Sequence, residues 1–549
     1  MARSKNETLN LIQAVLSEHE KYWGDQRPTL SNYKAAYETK FWKSVPAVTN
    51  QLRVETSDGY AIIESLIASL FSKSPAVEVE SYDVGNKEKD IIKTVVNRFM
   101  YDKKSPIEHG SRMALIYPNA FLKLAPREST DVLDRVSVRA CEPWSIIVDR
   151  EAEDWESQRY CGHIYWIAMP EAKERFGNKQ FKPVKKLDYF DDGPIGAKTP
   201  FTDPNYQIPN DYLYVKVIEF YDMLYDKLYF WSPNYQHGER LLKESVIPTR
   251  THDDRPLPCI APLYFCAIPD SPLVGYSTMS RIYDQLYERN MMRTHLANSI
   301  RRDSRQFVYK RGALDDKALS QLSSGEDGAM IGVDEDKWED IVMRPVEVPP
   351  MSSNFDKYNR IVETDLQKGS VLAPFTRGES TNVTATEITA LSAYTATEIG
   401  RMARERDGAI EKLAEIYISM LDLLWEDGEK ATLLVNGKPE IIQQKYFVPK
   451  YRFAAKDQAS TPLSRELKNQ QLMMVGPMLI ELGLNPQLIR DKLVEAYDLP
   501  NSFLSTNDPA PPAPPVAAEA PPVPGGLPAG STDSPIGMPP VGDILDQTS

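Results

Sequence analysis

The chain has 549 residues, of which 42% are hydrophobic and 26% charged, an ordinary composition for a globular protein with one large core or several. Its formal net charge of -14 argues against a protein that coats nucleic acid through bulk positive charge. The start of the sequence lacks the apolar segment of a signal peptide, and no apolar run approaches the ~18 residues of a membrane span. We therefore expect assembly in the cytoplasm. The cysteines lack a C-x-x-C spacing and are expected to be buried free thiols: Cys141, Cys161, Cys259 and Cys266.

The first half of the chain contains segments with the hydrophobic spacing of a helix and segments with the alternation of a strand. Helical spacing predicts helices over residues 6–23, 28–45, 63–71 and 92–100, and Ser105 followed by Pro106 predicts the N-cap of another. Alternation predicts strands at 77–79, 136–140, 146–148, 165–167 and 215–221, with a hairpin turn at 222–227.

Residues 273–427 read as helix, small mixed insertion, helix, loop and long helix. The insertion is predicted to contain short strands at 307–309, 330–333 and 341–343 and a helix near Ala318. The later half of the long helix is predicted to be amphipathic, with an apolar face of Ile410, Leu413, Tyr417, Met420, Leu421 and Leu424. Ser277 is a plausible N-cap for the first helix, which runs to about residue 302 and is polar over most of its surface. A second helix covers 354–367, and Gly369, Pro374 and Gly378 predict an irregular loop after it. Thr384 and Glu387 have the capping-box spacing that starts a helix of ~40 residues.

The C-terminal part ends in a composition that cannot build a core. Asn436-Gly437 predicts a hairpin over 433–438, a strand follows at 446–453, and helices follow at 461–482 and 485–498. Residues 501–549 contain twelve prolines and no lysine or arginine, so we expect them to be disordered.

This order of elements resembles the portal proteins of tailed bacteriophages, most closely those of short-tailed phages. The phrase Asn382-Val383-Thr384-Ala385-Thr386-Glu387-Ile388 is similar to the start of the family's long wing helix. The resemblance implies an α+β ring subunit divided as follows: N-terminal wing 1–272, first stem helix 273–305, clip 306–350, second stem helix 351–370, tunnel loop 371–383, long helix with returning strands 384–460, helical crown 461–500 and tail 501–549.

The function implied by the resemblance is that of a portal. Such a protein forms a ring, usually of twelve subunits, at one capsid vertex, and passes double-stranded DNA during packaging, retention and ejection. Its implied partners are the terminase large subunit, the tail adaptor and the capsid protein. It carries out no bond chemistry and needs no cofactor.

Basic residues near the ends of the predicted stem helices are candidates for contact with DNA phosphates: Arg301, Arg302, Arg305 and Lys368. Cations are favoured at a helix C-terminus in any protein, so this placement has a purely structural explanation as well. Arg377 in the predicted tunnel loop is the best candidate for direct phosphate contact, and an exposed loop arginine is the alternative. The resemblance makes the acidic cluster of the clip a candidate for partner docking: Asp334, Glu335, Asp336 and Trp338. In its absence, a solvated acidic face explains the same residues.

Signatures of enzymes are weak in this sequence. No two histidines stand four residues apart, no G-x-S-x-G occurs, and residues 193–199 depart from the spacing of a phosphate-binding loop. The alternatives to a portal are a nucleic-acid-processing enzyme such as a nuclease, recognisable by metal-dependent cleavage, and another structural component of a virion.

Overall fold

The computed structural model describes residues 4–42, 52–72, 74–80, 85–177, 179–184, 212–268, 271–303, 307–309, 316, 320, 343–345, 353–370, 385–426, 428–435, 438–448 and 450–455. The chain forms two compact units, Met1–Gln471 and Leu472–Ser549, and every described residue belongs to the first. This unit mixes helices with antiparallel strands, which confirms the α+β class.

The helices are α1 (Lys5–Tyr37), α2 (Asp58–Leu70), α3 (Asn86–Asp102), α4 (Lys104–Ile116), α5 (Met169–Phe176), α6 (Thr278–Asp303), α7 (Ser353–Ser370) and α8 (Ala385–Leu424). The strands are β1 (Val77–Val79), β2 (Ala120–Pro126), β3 (Val136–Cys141), β4 (Ile146–Val148), β5 (Tyr160–Ala168), β6 (Tyr214–Asp222), β7 (Lys227–Trp231), β8 (Lys243–Val246), β9 (Ile260–Leu263), β10 (Ala267–Ile268), β11 (Ser271–Gly275), β12 (Phe307–Tyr309), β13 (Met343–Pro345), β14 (Ala431–Val435), β15 (Lys438–Ile442) and β16 (Phe453–Ala455).

Two antiparallel sheets pack face to face between layers of helix. A three-stranded sheet has the order β3-β2-β9, and a five-stranded sheet has the order β4-β5-β6-β7-β8. Because side chains alternate along a strand, Val215 and Val217 of β6 join the apolar core shared with the three-stranded sheet. Ile218 and Phe220 point the other way and pack with Ile12 of α1.

The largest core gathers the helices on the far side of the three-stranded sheet. The long helix α8 contributes one buried stripe to it, including Leu413, Tyr417 and Leu421. The ring of Tyr417 stacks on Phe99 of α3 with centroids 3.8 Å apart, and its hydroxyl donates to the Leu133 carbonyl over 2.9 Å. The later half of the long helix is therefore packed into this core along one face.

A buried charge cluster joins the two sheets. Lys123 of β2 donates to Glu219 and to the Tyr221 hydroxyl of β6, each over 2.7 Å. Burial alone would raise the pKa of Glu219, but the charge of the Lys123 ammonium and the hydrogen bonds from Lys123 and Tyr221 lower it below its ordinary value. Burial also lowers the pKa of His163 to about 3, so this imidazole is neutral inside the cluster.

The N-terminal prediction of two helices, 6–23 and 28–45, is wrong. A single helix, α1, runs from Lys5 to Tyr37 with Pro28 inside it. Proline removes one backbone hydrogen bond, which favours a break, but apolar residues on both sides of it, including Ile12 and Leu30, are fully buried. Tertiary packing on both sides of the proline therefore outweighs the local preference.

Two further boundaries differ from the predictions. The first turn of α4 contains Ser105 and Pro106, because the helix already begins at Lys104 without a side-chain cap. The predicted strand at 446–453 is instead a 3-10 turn, Gln444–Tyr446, followed by the short β16 that pairs with β1. Predicted hairpins at 222–227 and 433–438 are confirmed by the pairing of β6 with β7 and of β14 with β15.

A buried histidine makes stability sensitive to acid. His19 of α1 lies against the Trp144 carbonyl, 2.8 Å away, and burial lowers the pKa of His19 to about 4. Below the ordinary pKa of about 6.5, His19 is protonated in the unfolded chain but stays neutral in the folded chain. The free energy of unfolding therefore falls as the pH falls. The full shift corresponds to about 3 kcal/mol of unfolding free energy.

We therefore predict that His19→Gln reduces the loss of stability between pH 6.5 and pH 4, because a neutral amide can still donate to the Trp144 carbonyl. Denaturant unfolding at a series of pH values measures this loss. His237→Gln is the matched control, since His237 is exposed, and it should retain the wild-type pH dependence. Parallel pH profiles for His19→Gln and wild type would contradict the assignment.

Candidate functional site

The candidate site is a pair of antiparallel helices, α6 and α7. Gly369, near the end of α7, packs against Ile282 in the first half of α6. The Tyr358 hydroxyl, nearer the start of α7, hydrogen bonds to Glu288 further along α6, and this carboxylate raises the pKa of Tyr358. Later residues of one helix thus contact earlier residues of the other, and the two helices run in opposite directions.

The start of α6 follows the sequence prediction closely. The Ser277 hydroxyl accepts a hydrogen bond from the Ser280 amide over 2.9 Å, as expected of an N-cap. Residues 273–275, which were predicted as the beginning of the stem helix, belong to β11 instead. Met279, Ile282 and Leu286 then bury one edge of α6 in the largest core.

The end of α7 differs from the prediction because one glycine serves as a contact point. The helix continues through Gly369 to Ser370, whereas Gly369 was expected to stop it. A Cβ at Gly369 would lie 3.1 Å from Ile282 Cγ2 and 3.2 Å from the Arg281 carbonyl oxygen. Glycine at this position therefore permits a close approach of the two helices.

The outer face of α7 carries a stripe of cations, here called the basic stripe: Lys357, Arg360 and Lys368. All three are exposed, and at ~100° per residue they fall within one sector of about 80° on the helix. Val362 and Leu366 are buried on the opposite side. The basic stripe thus faces directly away from α6, over a length of about 16 Å.

A neighbouring carboxylate only weakly offsets the positive charge of Lys368 in the basic stripe. Lys368 is 75% exposed, with its Nζ 3.8 Å from an Asp365 carboxylate oxygen that is itself exposed. Such surface pairs contribute little energy and are screened by salt, so Lys368 keeps most of its capacity to bind another anion. The Thr364 hydroxyl, between Arg360 and Lys368, donates to the Arg360 carbonyl over 2.8 Å.

Of the predicted DNA-facing residues, Lys368 has a described side chain and lies in the basic stripe. Arg301 and Arg302 belong to the last turn of α6, and their side chains lie outside the described residues. The other candidates lie outside the described residues altogether: Arg305, Arg377, Asp334, Glu335, Asp336 and Trp338.

Sequence reasoning missed Lys357 and Arg360. Both were visible in the sequence as cations on the predicted second helix, spaced three residues apart and in phase with Lys368. The signal that would have found them is helical phase, since the buried positions 362 and 366 define the opposite face.

A short ribbon stands between the two helices in the chain. Strand β12, which follows α6, pairs antiparallel with β13, which precedes α7, through partners such as Val308 and Arg344. The predicted strand 307–309 is confirmed, while the strand predicted at 341–343 is found at Met343–Pro345. The predicted strand at 330–333 lies outside the described residues, and of the helix predicted near Ala318 the structure describes residues 316 and 320, both helical.

The burial of the described cysteines does not favour a role as nucleophiles. All four thiols are free, and three of them are buried, as predicted, whereas Cys266 is half-buried. Burial raises the pKa of Cys141 to about 12 and raises that of Cys161 further, so neither is a thiolate at neutral pH. Within the described ranges, no group of three or more His, Cys, Asp or Glu side chains is placed to hold a metal ion.

No known family model matches the chain, and no curated protein matches it. In the part of the chain that the structure describes, none of the helices combines the length and apolar character needed to cross a membrane. The function must therefore be argued from the residues of the helix pair.

We predict that Gly369→Ala destabilises the protein, because the added Cβ forces Ile282 or the α6 backbone to move. Overpacking of this kind costs about 1–3 kcal/mol, whereas alanine in an open helix position gains up to about 1 kcal/mol. Gly408→Ala in α8 is the matched control, because a Cβ there meets no atom within 4 Å. Thermal unfolding should shift in opposite directions for the two variants, and equal shifts would contradict the close packing.

Proposed function

We propose that the chain is the subunit of a viral portal ring, the channel through which double-stranded DNA enters and leaves a capsid. The observation that carries the proposal is the antiparallel pair of α6 and α7, because one sector of the outer face of α7 carries three exposed cations and no described acidic side chain. The β12–β13 ribbon between the two helices in the chain agrees with the stem-clip-stem order of the resembling family.

Electrostatics explains why such a stripe suits a DNA channel. The whole chain has a net charge of -14, so most of its surface repels DNA. In a ring, each copy would contribute Lys357, Arg360 and Lys368 to bands of positive charge within that acidic protein. Contacts of this kind bind phosphates without reading bases, so DNA is held weakly and can move past.

The remaining roles follow from the same proposal. The ring would have about twelve subunits, as the family resemblance implies, and would sit at one vertex of the capsid in the virion after assembly in the host cytoplasm. Its clip, with Asp334, Glu335, Asp336 and Trp338, would dock the terminase large subunit and later the tail adaptor. The capsid protein would surround the ring, and the packaging ATPase would be a separate chain.

We predict that the purified chain assembles into a closed ring. Native mass measurement should give one dominant species of about twelve copies at assembly concentrations. A closed ring favours the portal over a nuclease, and an axial channel in that ring favours it over another structural component of the virion. A protein that stays monomeric across the concentration range would refute the proposal.

We predict that the double variant Lys357→Glu, Arg360→Glu assembles normally but impairs DNA packaging or retention. The substitutions lie opposite the helix seam, so they should leave the helix pair intact while repelling phosphates. The packaged genome mass per particle measures the effect, and Arg377→Glu in the predicted tunnel loop is expected to act in the same direction.

Arg404→Glu is the matched control for this experiment, because Arg404 is an exposed arginine on α8, outside the helix pair. It should package a full genome. Full packaging by the double variant as well would show that the basic stripe does not contact DNA, and a failure of ring assembly would show that the stripe is structural.

A further inference from the structure

An extended segment, residues 52–56, lies along the second half of α6 and is here called the strap. Three of its backbone amides donate to side chains of the helix. The Leu52 amide donates to Asn298 Oδ1 over 2.9 Å, and the Val54 amide donates to Thr294 Oγ1 over 3.0 Å. The Thr56 amide donates to Asn290 Oδ1 over 3.0 Å. Polar side chains of α6 thus accept the backbone hydrogen bonds that a neighbouring strand would accept in a sheet.

The spacing of these bonds explains why they form a regular ladder. The acceptors stand four residues apart on α6, which is about 6.0 Å of helix, and the donors stand two residues apart, which is about 6.6–6.8 Å of extended chain. The two repeats nearly coincide, and the strap runs opposite to the helix. A slip by one helical turn would leave one end of the ladder unpaired, so the ladder fixes a single register.

Both ends of the strap have additional partners. Asn298 Nδ2 donates back to the Leu52 carbonyl over 2.8 Å, and Trp42 Nε1 donates to the Val54 carbonyl over 3.0 Å. Immediately after the strap, Asp58 begins α2 and lies 3.4 Å from Arg289 of α6. The strap therefore connects the second half of α6 to the helical body.

The second half of α6 has few other anchors. The apolar side chains that α6 buries end at Met292, and in the described residues beyond it the one buried side chain is Thr294, a ladder acceptor. Ile300 is 60% exposed. This half carries the β12–β13 ribbon at its end.

We infer that the strap is a releasable clamp that holds the second half of α6, and the ribbon beyond it, at one position relative to α2. Its bonds to α6 are polar, and Leu52 is already 45% exposed, so the clamp opens without uncovering the apolar core. Opening leaves the part of α6 beyond Met292 without a buried apolar anchor of its own among the described residues. The orientation of the ribbon is thereby coupled to the state of the strap, whether or not the chain forms a portal ring.

Hydrogen exchange at single-residue resolution on the full-length protein tests this inference. In the wild type, the amides of Leu52, Val54 and Thr56 should exchange more slowly than that of Glu55, whose amide has no partner among the described residues. The variant Thr294→Val, Asn298→Leu should accelerate exchange of Leu52 and Val54 by about tenfold per lost bond. Exchange in residues 293–303 should accelerate with them.

A second variant weakens the contact between the strap and α6 by a substitution in the strap itself. Val54→Pro removes one ladder donor without altering α6, and proline fits an extended chain. It should accelerate exchange in residues 293–303 as well, whereas the control Ser299→Ala, beside the ladder on α6, should not. If residues 293–303 exchange at the wild-type rate in both variants, the strap does not hold α6. Equal exchange of Val54 and Glu55 in the wild type would overturn the ladder itself.

Discussion

One apolar edge of α6 is the constraint on which the helix pair depends. Met279, Ile282 and Leu286 are buried in the same core as Leu413 and Tyr417 of the long helix α8. Because this edge is confined to the first half of α6, the rest of the helix is anchored by other means. Helix α7 is in turn positioned by α6, through the close contact of Gly369 with Ile282. The direction of the basic stripe thus follows from the burial of three side chains on a different helix.

The polarity of α6 has two explanations that act together. From the sequence alone, a long polar helix suggested packing against neighbouring copies of the chain. The structure accounts for part of that polarity within one chain, since Asn290, Thr294 and Asn298 hold the strap. The exposed face of α7 is a different matter, because its three cations share one sector of the helix, and the carboxylate beside Lys368 is itself exposed. We propose that this face suits a partner that carries many phosphates.

Much of the fold could be predicted from hydrophobic period and from capping residues. The buried stripe of α8, the N-cap Ser277 and both hairpins were visible in the sequence, because local side-chain chemistry determines them. The continuity of α1 through Pro28 could not be predicted, because two separate cores hold the helix together across a residue that locally disfavours it. The pairing of Lys123 with Glu219 could not be predicted either, because the two residues are far apart in the chain.

The candidate site was only partly predictable for a related reason. Lys368 was identified from its position at the end of a helix, whereas Lys357 and Arg360 become significant only once the buried side of α7 is known. The strap was missed because its acceptors are ordinary polar residues whose role depends on an extended partner more than two hundred residues away in the chain.

The most direct test of this account is an electron-microscopy reconstruction of the assembled protein. The account predicts an annular particle with an axial channel, in which α7 lines the channel and the basic stripe of Lys357, Arg360 and Lys368 faces the axis. A particle without an axial channel, or a ring in which α7 lies on the outer perimeter, would contradict it.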